Sequence, residues 1–424
     1  MVVRPARSMM GALRLPGDKS ISHRYAMLAA IAKGTSRLEN FSTGEDCAST
    51  LQCLRKLGVE SERTDNLVRV EGRGGELKQP TVPLECGNSG STMRMLSGIL
   101  AGQEFGSELR GDQSLSRRPM ARIIEPLQAM GAKIKANDGG RSPLHISGSA
   151  LKAIDYKVPV ASAQVKSALL FAGLFARGET RIEEPIRTRD HGELALRAFG
   201  AEVARNGNEV RIAGGQKLYA LDAEIPGDLS TAAFYLCAAA LFPGSRLLIS
   251  HLLMNPTRAR LLDTLILMGV GISVTELEDR NGELVGTVDV EGRGLRGATI
   301  AGADVAALID EIPVLAAIAP YTSSGIEIRD AKELRVKESD RIAAVAKNLR
   351  AMGAEVEEAE DGLKIPGGQA LRGAEIDSFG DHRIAMAFAV AALRAEGETT
   401  IHHADAAVIS CPGFYGALEG LSQR

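Results

Sequence analysis

The sequence predicts an α/β protein of two domains, each built from three copies of one helix-and-strand unit of about 70 residues. Two series of glycines and one series of short alternating strands predict this class. Glycines of the first series open a strand in G-x-(S/T) or G-x-x-(I/L) patterns. They are Gly34, Gly106, Gly178, Gly244, Gly325 and Gly397.

Each copy is predicted to run helix, strand, helix, strand, strand. The glycine of the first series follows an alanine- and leucine-rich segment, so we expect it to cap the C-terminus of that helix. The second helix of a copy is expected to end at a second series of glycines, namely Gly58, Gly131, Gly200, Gly269 and Gly353. A closing strand such as L-V-R-V-E-G then alternates apolar and polar residues, which is typical of a strand buried on one face.

The sixth copy has its second helix, G-F-Y-G-A-L-E-G-L, but the chain ends before any closing strands. Residues 11–17, G-A-L-R-L-P-G, carry the closing pattern, and we expect them to supply the missing strand. The tripeptide Pro-Gly-Asp occurs at 16–18 and again at 226–228. The repeated tripeptide suggests that the chain crosses between the two domains twice, and two such connections would form a hinge. The predicted domains are residues 17–226 and residues 1–16 plus 227–424. An open solenoid is the disfavoured alternative.

Composition excludes several classes of protein. The 424 residues carry a formal net charge of -3, and aromatic residues make up 4% with no Trp, which argues against a nucleic-acid-binding protein. No apolar run is long enough to span a membrane. The start of the sequence lacks the apolar core of a signal peptide. Five scattered cysteines predict reduced thiols in the cytoplasm, and the histidines show no metal-site spacing.

Cationic side chains recur where the helices of each copy are expected to begin. A cation faces the positive end of the helix dipole there, so a bound anion would have to offset the unfavourable placement. The sequence therefore predicts small, multiply anionic ligands in a cleft that the helix starts of both domains face. No dinucleotide or P-loop motif is present. The cations at the first helices are Lys19, Arg24, Arg94, Lys166 and Arg383, and those at the second helices include Arg117, Arg118, Arg189, Arg258, Lys337 and Arg341.

Two pairs of acidic residues also occur where helices are expected to begin. One is Asp310 with Glu311, and the other is Glu338 with Asp340. A carboxylate among fixed cations stays ionised and can accept a proton. Helix caps and structural ion pairs are the alternative interpretation for all four residues.

Several long motifs resemble those of the 5-enolpyruvylshikimate-3-phosphate (EPSP) synthase family, in the same order along essentially the whole chain. They are L-P-G-D-K-S-I-S-H-R, G-N-S-G-S-T-M-R, S-R-R-P-M, V-A-S-A-Q-V-K-S-A-L-L, R-V-K-E-S-D-R and D-H-R-I-A-M-A. The resemblance implies a two-domain inverted α/β barrel of six βαβαββ repeats, three per domain. It also implies transfer of the enolpyruvyl group of phosphoenolpyruvate to the 5-hydroxyl of shikimate 3-phosphate, with release of phosphate. No cofactor and no metal are expected, and the protein is expected to act as a monomer.

The resemblance also assigns roles to individual residues. Asp310 corresponds to the base that receives the hydroxyl proton, Glu338 to the acid that protonates the methylene carbon, and Lys19 to a lysine that touches both substrates. The implied shikimate-3-phosphate ligands are Lys19, Ser20, Arg24, Ser162, Ala163, Gln164, Asp310 and Lys337. The implied phosphoenolpyruvate ligands are Lys19, Gly90, Arg118, Gln164, Arg341 and Arg383.

The chain departs from the common family pattern in two places. Ala163 stands where many members have a serine, so Lys166 or a backbone N–H group is expected to replace one phosphate contact. No lysine occurs after Lys364, although many members carry one near the C-terminus. The motifs G-D-K-S, S-A-Q-V-K, R-D-H-G-E and N-P-T-R are similar to those of the subgroup less sensitive to glyphosate (class II). Gly90 keeps the small residue of sensitive members, so we expect partial tolerance.

Three other functions remain as alternatives at this stage. The sister enolpyruvyl transferase acting on UDP-N-acetylglucosamine shares the repeat but typically carries a reactive Cys in the loop that corresponds to 112–118, and no Cys lies between Cys86 and Cys237 here. A scaffold that binds anionic partners would need neither Asp310 nor Glu338. An RNA-end-processing enzyme is disfavoured by the acidic net charge and the scarcity of aromatic residues.

Overall fold

The structure is a computed structural model that describes residues 1–424. Its contacts divide the chain into two compact units. The first unit comprises Pro16–Ile225 with Asp279–Glu283, and the second comprises Met1–Leu15, Pro226–Glu278 and Leu284–Arg424. The chain therefore passes from one unit to the other at both Pro-Gly-Asp tripeptides and again on each side of the short segment 279–283.

The chain forms thirteen α-helices. They are α1 (Lys19–Ile31), α2 (Glu45–Lys56), α3 (Gly90–Ala101), α4 (Ala121–Ala129), α5 (Ala163–Gly173), α6 (His191–Ala198), α7 (Leu229–Ala240), α8 (Arg260–Leu267), α9 (Ala303–Leu308), α10 (Ile312–Ile318), α11 (Arg341–Ala351), α12 (His382–Ala392) and α13 (Phe414–Leu421). Short 3-10 helices cover Leu115–Arg117, Ala319–Tyr321, Lys332–Val336 and Ala404–Ile409.

The strands of the first half of the chain are β1 (Val2–Val3), β2 (Ser8–Arg14), β3 (Lys33–Glu39), β4 (Glu60–Thr64), β5 (Leu67–Arg73), β6 (Leu84–Glu85), β7 (Gly106–Arg110), β8 (Lys133–Asn137), β9 (Arg141–Ser147), β10 (Asp155–Lys157), β11 (Glu179–Glu183), β12 (Val203–Asn206) and β13 (Glu209–Ala213). Those of the second half are β14 (Asp222–Glu224), β15 (Arg246–Leu253), β16 (Gly271–Arg280), β17 (Glu283–Glu291), β18 (Ala298–Ile300), β19 (Ile326–Ile328), β20 (Glu357–Ala359), β21 (Gly362–Ile365), β22 (Glu375–Asp377), β23 (Thr399–His402) and β24 (Ser422–Gln423).

In chain order these elements form five β-α-β-α-β-β units and a sixth that lacks its last strand, beginning with β2-α1-β3-α2-β4-β5. The fifth copy has α9 and α10 in the place of one helix, and the sixth ends at β24. Closing strands alternate as predicted: in β5, for example, Val68 and Val70 are buried and their neighbours Arg69 and Glu71 are exposed. Each sheet therefore presents one apolar face to the helices.

The first unit contains three four-stranded sheets, in the orders β14-β3-β5-β4, β6-β7-β9-β8 and β10-β11-β13-β12. In each sheet the first strand runs parallel to the second, and the remaining neighbours are antiparallel. Strand β14 follows the third copy in the chain yet pairs with β3 of the first copy. This return of the chain closes the unit on itself.

The sheets of the second unit have the orders β16-β17-β15-β2-β24, β18-β19-β21-β20 and β1-β23-β22. The prediction that residues 11–17 close the sixth copy is wrong. Strand β2 runs parallel to β15 of the fourth copy, and β1 instead pairs antiparallel with β23, with Val2 opposite Thr400. Alternation along a strand reports which face is buried and carries no information about the partner strand, so the pattern alone could not separate the two positions.

The two series of glycines have different roles. Gly58 follows the cap residue Leu57 at the end of α2 with φ +81°, so the prediction for the second series is confirmed there. The first series is placed differently: α1 ends at Ile31, and Gly34 lies inside β3 with φ +96°. The prediction of a helix C-cap is wrong for Gly34, because the positive φ is needed where the new strand starts.

The first helices of the copies form the interior of each unit and are buried on nearly every face, as in α7 and α12. Small residues allow this packing. A Cβ atom on Gly98 of α3 would lie 2.0 Å from the carbonyl oxygen of Ala168 on α5, so only glycine fits this contact. The second helices, such as α2, bury one face only. The rigid interior helices therefore carry most of the predicted ligand residues at their N-termini.

Candidate active site

The structure divides the predicted site residues into two groups, one in each unit. The group of the first unit is Lys19, Ser20, Arg24, Gly90, Arg118, Ser162, Ala163 and Gln164. The group of the second unit is Asp310, Lys337, Glu338, Arg341 and Arg383. Within each group the side chains are linked by hydrogen bonds and ion pairs, as follows.

Lys19 is the first residue of α1, directly after the cap residue Asp18, whose carboxylate accepts a hydrogen bond of 2.9 Å from the N–H of Ile21. The Lys19 ammonium lies 2.8 Å from Asp46 Oδ2 in the first turn of α2. The Lys19 side chain is 16% exposed and the Asp46 side chain 9% exposed. Asp46 therefore offsets part of the cationic charge at this helix start. Sequence reasoning missed Asp46, although an acidic residue in the first turn of a helix was the available signal.

Arg24 is buried and joins α1 to the start of α5. Its guanidinium donates to Ser167 Oγ at 2.9 Å and to the carbonyl oxygen of Ser20 at 2.8 Å. The carbonyl oxygen of Ala163 lies 3.5 Å away. Burial lowers the pKa of Arg24 to about 10, although Glu193 acts in the opposite direction, so the side chain remains a cation at neutral pH. Arg24 thus fixes Ser20 and Ala163 beside one another.

Gln164 links α5 to the start of α3. Its Oε1 accepts a hydrogen bond of 2.8 Å from Arg94, and its Nε2 donates one of 2.9 Å to Ser91 Oγ. These opposite partners fix the orientation of the amide. The hydroxyl of Ser162 caps α5 by accepting from the N–H of Val165. The S-A-Q stretch is therefore held on both sides, although its role in binding stays a prediction.

Arg118 reaches the same helix start from the loop before α4. Its guanidinium donates to Asn88 Oδ1 and to Ser114 Oγ, and the residue is 6% exposed. A Cβ atom on Gly90 would lie 3.5 Å from the Arg118 guanidinium and 2.7 Å from that of Arg94. Two arginines thus approach the first residue of α3, where backbone N–H groups and the helix dipole favour an anion. Asn88, which sequence reasoning missed, orients Arg118.

Lys166 does not supply the phosphate contact suggested for it. Its ammonium has no exposed surface and lies 3.0 Å from both Glu184 Oε2 and Glu193 Oε1. Arg205 binds the same two carboxylates. The four charges balance one another inside the first unit, so Lys166 is a structural residue.

Arg341 is the centre of the group in the second unit. The residue is 1% exposed, its Nε donates to Asp381 Oδ2 at 2.8 Å, and its NH2 donates to Glu338 Oε2 at 2.6 Å. Burial acts to lower the pKa of Arg341, but Asp381, Glu338 and Asp310 outweigh it and raise the pKa. The NH1 atom is buried and makes no hydrogen bond. An unsatisfied buried donor of this kind is costly unless a ligand oxygen accepts from it.

Asp310 lies between two arginines. Its Oδ1 is 3.6 Å from Arg341 NH1 and 3.6 Å from Arg383 Nε, and its backbone carbonyl oxygen accepts a hydrogen bond of 2.8 Å from Arg383. The carboxylate is 18% exposed, so it is accessible to a small ligand. Lys337 is nearby: desolvation lowers the pKa of its ammonium, while the charge of Asp310 acts in the opposite direction.

The other acidic candidates have structural roles. Glu311 is buried and accepts a short hydrogen bond from Ser230 Oγ. Asp340 caps α11 by accepting from the N–H of Ala343 at 3.0 Å, and it binds Arg335 at 2.7 Å. Sequence reasoning missed the role of Asp381, which is fully buried, caps α12 and binds Arg341 at the same time. Its position at a predicted helix start indicates the capping role, but nothing in the sequence indicates the ion pair with Arg341.

The structure also shows whether metal-binding groups, disulfides or membrane-spanning helices are present. No group of three or more His, Cys, Asp or Glu side chains is arranged to hold a metal ion. All five cysteines are buried and unpaired. None of the helices has both the length and the apolar character that a membrane span requires.

The comparisons with known proteins agree with one another. The family profile of EPSP synthase (3-phosphoshikimate 1-carboxyvinyltransferase) matches residues 3–418. The chain belongs to the EPSP synthase family. It is 60% identical over 423 residues to the 3-phosphoshikimate 1-carboxyvinyltransferase of Koribacter versatilis, covering 100% of this chain and 99% of that protein. It is 54% identical to the protein of the same name from Solibacter usitatus, covering 99% of each.

A solved structure of EPSP synthase from Acinetobacter baumannii is similar throughout, with a TM-score of 0.88 and 40% sequence identity over 99% of this chain and 97% of that one. This similarity confirms the predicted α/β fold class with its six βαβαββ repeats. The family match also selects the EPSP synthase family over the sister transferase that acts on a nucleotide sugar.

An ion pair between Asp377 and His403 in the second unit allows a test of the local electrostatics. Asp377, the last residue of β22, has its Oδ1 2.9 Å from Nδ1 of His403, which follows β23. The hydrogen bond that His403 donates to the Asp377 carboxylate raises the pKa of His403 above 6.5. Desolvation opposes the charged form of Asp377, but hydrogen bonds from the Phe379 N–H and from His403 outweigh it, and its pKa falls below 3.8.

We expect NMR titration to give His403 a pKa above 6.5, and Asp377→Asn to return it toward 6.5. The matched variant Glu375→Gln, whose carboxylate faces His402, should leave His403 unchanged. Because the His403 pKa is raised, its stabilising effect is complete below pH 6.5 and is lost as pH rises through the folded value. The effect of Asp377 is lost on acidification below its usual 3.8. A His403 pKa at or below 6.5 would contradict the pairing.

Proposed function

We propose that this protein transfers the enolpyruvyl group of phosphoenolpyruvate to the 5-hydroxyl of shikimate 3-phosphate and releases inorganic phosphate. It is a transferase of the shikimate pathway to chorismate and the aromatic amino acids. Membership of the EPSP synthase family over residues 3–418 supports this assignment, as do relatives of that activity at 60% and 54% identity. The reaction as proposed uses no metal and no organic cofactor.

The single structural observation that carries the chemistry is the placement of Asp310. A general base must be ionised and within reach of the substrate. Asp310 is a partly exposed carboxylate with guanidinium groups 3.6 Å away on two sides. In the proposed mechanism it takes the proton of the 5-hydroxyl as the oxygen attacks the substituted carbon of phosphoenolpyruvate.

Glu338 is proposed to deliver a proton to the methylene carbon of phosphoenolpyruvate in the same step. The Glu338 side chain is 20% exposed and binds Arg341 at 2.6 Å. This ion pair holds the carboxyl group in place beside a proposed phosphoenolpyruvate ligand. Elimination of phosphate from the resulting tetrahedral intermediate, with loss of a methyl proton, restores the carbon–carbon double bond and leaves the enolpyruvyl ether on the 5-oxygen.

The remaining residues are proposed to bind the two anionic substrates. Arginines held in fixed orientations suit phosphate and carboxylate groups, since their fork of donors matches those oxygens. The proposed ligands of shikimate 3-phosphate are Lys19, Ser20, Arg24, Ser162, Ala163, Gln164, Asp310 and Lys337. Those of phosphoenolpyruvate are Lys19, Gly90, Arg118, Gln164, Arg341 and Arg383. We further propose a cytoplasmic monomer without nucleic-acid or membrane partners, which sedimentation of the purified protein can test.

The decisive experiment measures phosphate release from phosphoenolpyruvate with and without shikimate 3-phosphate. We expect release only when both substrates are present. Release that ignores shikimate 3-phosphate, or no release with both substrates, would overturn the assignment. UDP-N-acetylglucosamine in place of shikimate 3-phosphate serves as the matched negative control.

A substitution at Gly90 tests the phosphoenolpyruvate site. The new methyl group of Gly90→Ala would lie 2.7 Å from Arg94 NH1, and moving that guanidinium would disturb its hydrogen bond to Gln164. We expect the KM for phosphoenolpyruvate to rise about tenfold, because small displacements of positioning groups have large kinetic effects. Gly106→Ala is the control, since its methyl group would meet nothing within 4 Å. Equal KM values for the two variants would contradict the assignment of Gly90.

The class II motifs predict partial tolerance of glyphosate. We expect an inhibition constant, measured against phosphoenolpyruvate, above that of a sensitive plant enzyme assayed in parallel. Gly90→Ala should raise it further, because the added methyl group narrows the space next to Arg118. An inhibition constant equal to that of the plant enzyme would refute the prediction.

A further inference from the structure

A chain of buried hydrogen bonds crosses three helices of the first unit. His23 Nδ1 on α1 lies 2.7 Å from Thr50 Oγ1 on α2, and Thr50 Oγ1 lies 2.7 Å from Thr92 Oγ1 on α3. Thr92 in turn donates to Ser89 Oγ at 2.7 Å. None of the four residues has exposed surface. We call this set, His23, Thr50, Thr92 and Ser89, the buried relay.

The protons of the relay run in one direction. The Thr92 hydroxyl donates to Ser89 Oγ at 2.7 Å, with the carbonyl oxygen of Asp46 at 3.5 Å as a second acceptor. Because Thr92 acts as a donor to these groups, Thr50 donates to Thr92 and accepts from His23. His23 therefore carries its proton on Nδ1. Desolvation, followed by the charges of Lys19 and Arg24, lowers the pKa of His23 well below 6.5, so the ring is neutral across the physiological range. The relay is thus a fixed set of neutral hydrogen bonds and does not shuttle charge.

Its members lie one turn behind, or directly beside, the proposed ligand residues. His23 follows Lys19 by four residues on α1, and Thr50 follows Asp46 by four residues on α2, so the relay runs parallel to the Lys19–Asp46 ion pair. Ser89 is the cap of α3 and accepts from the N–H of Thr92 at 3.1 Å. The relay therefore connects the starts of α1, α2 and α3.

Hydrogen bonds between side chains on different helices restrict the relative position of those helices more closely than apolar packing does. Threonine in a helix can place its hydroxyl in either of two rotamers, one of which bonds back to its own helix. The Thr50 hydroxyl bonds to α1 and α3, and the Thr92 hydroxyl bonds both to α2 and to Ser89, the cap of its own helix. Directional bonds of this kind set the rotation and height of each helix, and a buried network tolerates the loss of a member poorly.

We propose that the buried relay is a positioning device that sets the start of α3, with Gly90, relative to Lys19 for binding of phosphoenolpyruvate. His23, Thr50 and Thr92 act through other residues and do not touch the substrate. This inference rests on the proposed function. It adds three positioning residues that the motifs of the sequence do not assign.

Thr50→Val tests the proposal because it removes the central hydroxyl at nearly constant volume. We expect the KM for phosphoenolpyruvate to rise about tenfold with a smaller change in kcat, since displaced positioning groups weaken binding. Thr50→Ser keeps the hydroxyl and should restore a KM within about twofold of the parent protein. The control is Ser97→Ala on α3, which removes a buried hydroxyl bonded to the Met93 carbonyl at 2.7 Å, outside the relay.

A second pair of variants covers the case in which Thr50→Val does not fold. His23→Asn can place an amide N–H near the position of Nδ1–H and should keep the KM, whereas His23→Leu should raise it. A KM that is unchanged in Thr50→Val and in His23→Leu, or raised equally in Ser97→Ala, would show that the relay serves stability alone and would overturn the proposal. Phosphate release by the parent protein, measured in the same assay, separates this failure from failure of the proposed function.

Discussion

Replacing Asp310 with asparagine is expected to lower kcat by about 10²–10⁴-fold, the usual contribution of a general base. Asparagine has nearly the same shape but cannot accept a proton from the 5-hydroxyl. Binding of both substrates should be retained, because Arg341 keeps its partners Asp381 and Glu338. The measurements are kcat from phosphate release and dissociation constants from calorimetry.

Asp304→Asn is the matched control for this variant. Asp304 belongs to the same unit and binds Arg260 at 2.8 Å, but its side chain is 36% exposed and has no proposed role in catalysis. We expect its kcat to match that of the parent protein. If Asp310→Asn kept kcat within about threefold of the parent, the base would have to be another group. If the parent bound both substrates without turnover, the protein would be a scaffold and not an enzyme.

The repeat itself could be predicted from the sequence because it depends on local physics. Alternation identifies the closing strands, and recurring glycines mark the ends of the second helices, so the order of elements within a copy follows from local pattern. What could not be predicted was pairing between distant segments. Strand β1, and not β2, pairs with β23 of the sixth copy, and only the tertiary structure shows which of the two N-terminal strands does so.

The candidate site shows the same division. The sequence predicts the cationic part of the site, because Lys and Arg residues at helix N-termini are unfavourable unless an anion binds beside them. The acidic partners were harder to assign, because Asp340 and Asp381 are both helix caps that bind an arginine, and nothing local separates them. Burial separates them: the Asp340 side chain is 38% exposed, and the Asp381 side chain is 0% exposed.

The difference in burial between Asp381 and Asp340 predicts a large difference in the stability of their variants. Asp381→Asn is expected to lower the free energy of unfolding by about 3 kcal/mol, the lower end of the range for breaking a buried ion pair. Asparagine caps a helix about as well as aspartate, so the substitution removes the charge and keeps the cap. Arg341 would then rely on the more exposed Glu338 and on Asp310 at 3.6 Å. Urea denaturation of the protein without substrates measures the difference.

Asp340→Asn makes the same chemical change at an exposed cap and should cost at most about 1 kcal/mol, the upper range for a surface ion pair. Equal losses in the two variants would mean that Glu338 and Asp310 alone stabilise the buried guanidinium. A buried arginine with one unsatisfied N–H group is a poor way to stabilise a core, since apolar residues of equal volume often do as well or better. We therefore propose that Arg341 is kept at the start of α11 to bind an anionic ligand that accepts from its NH1 group.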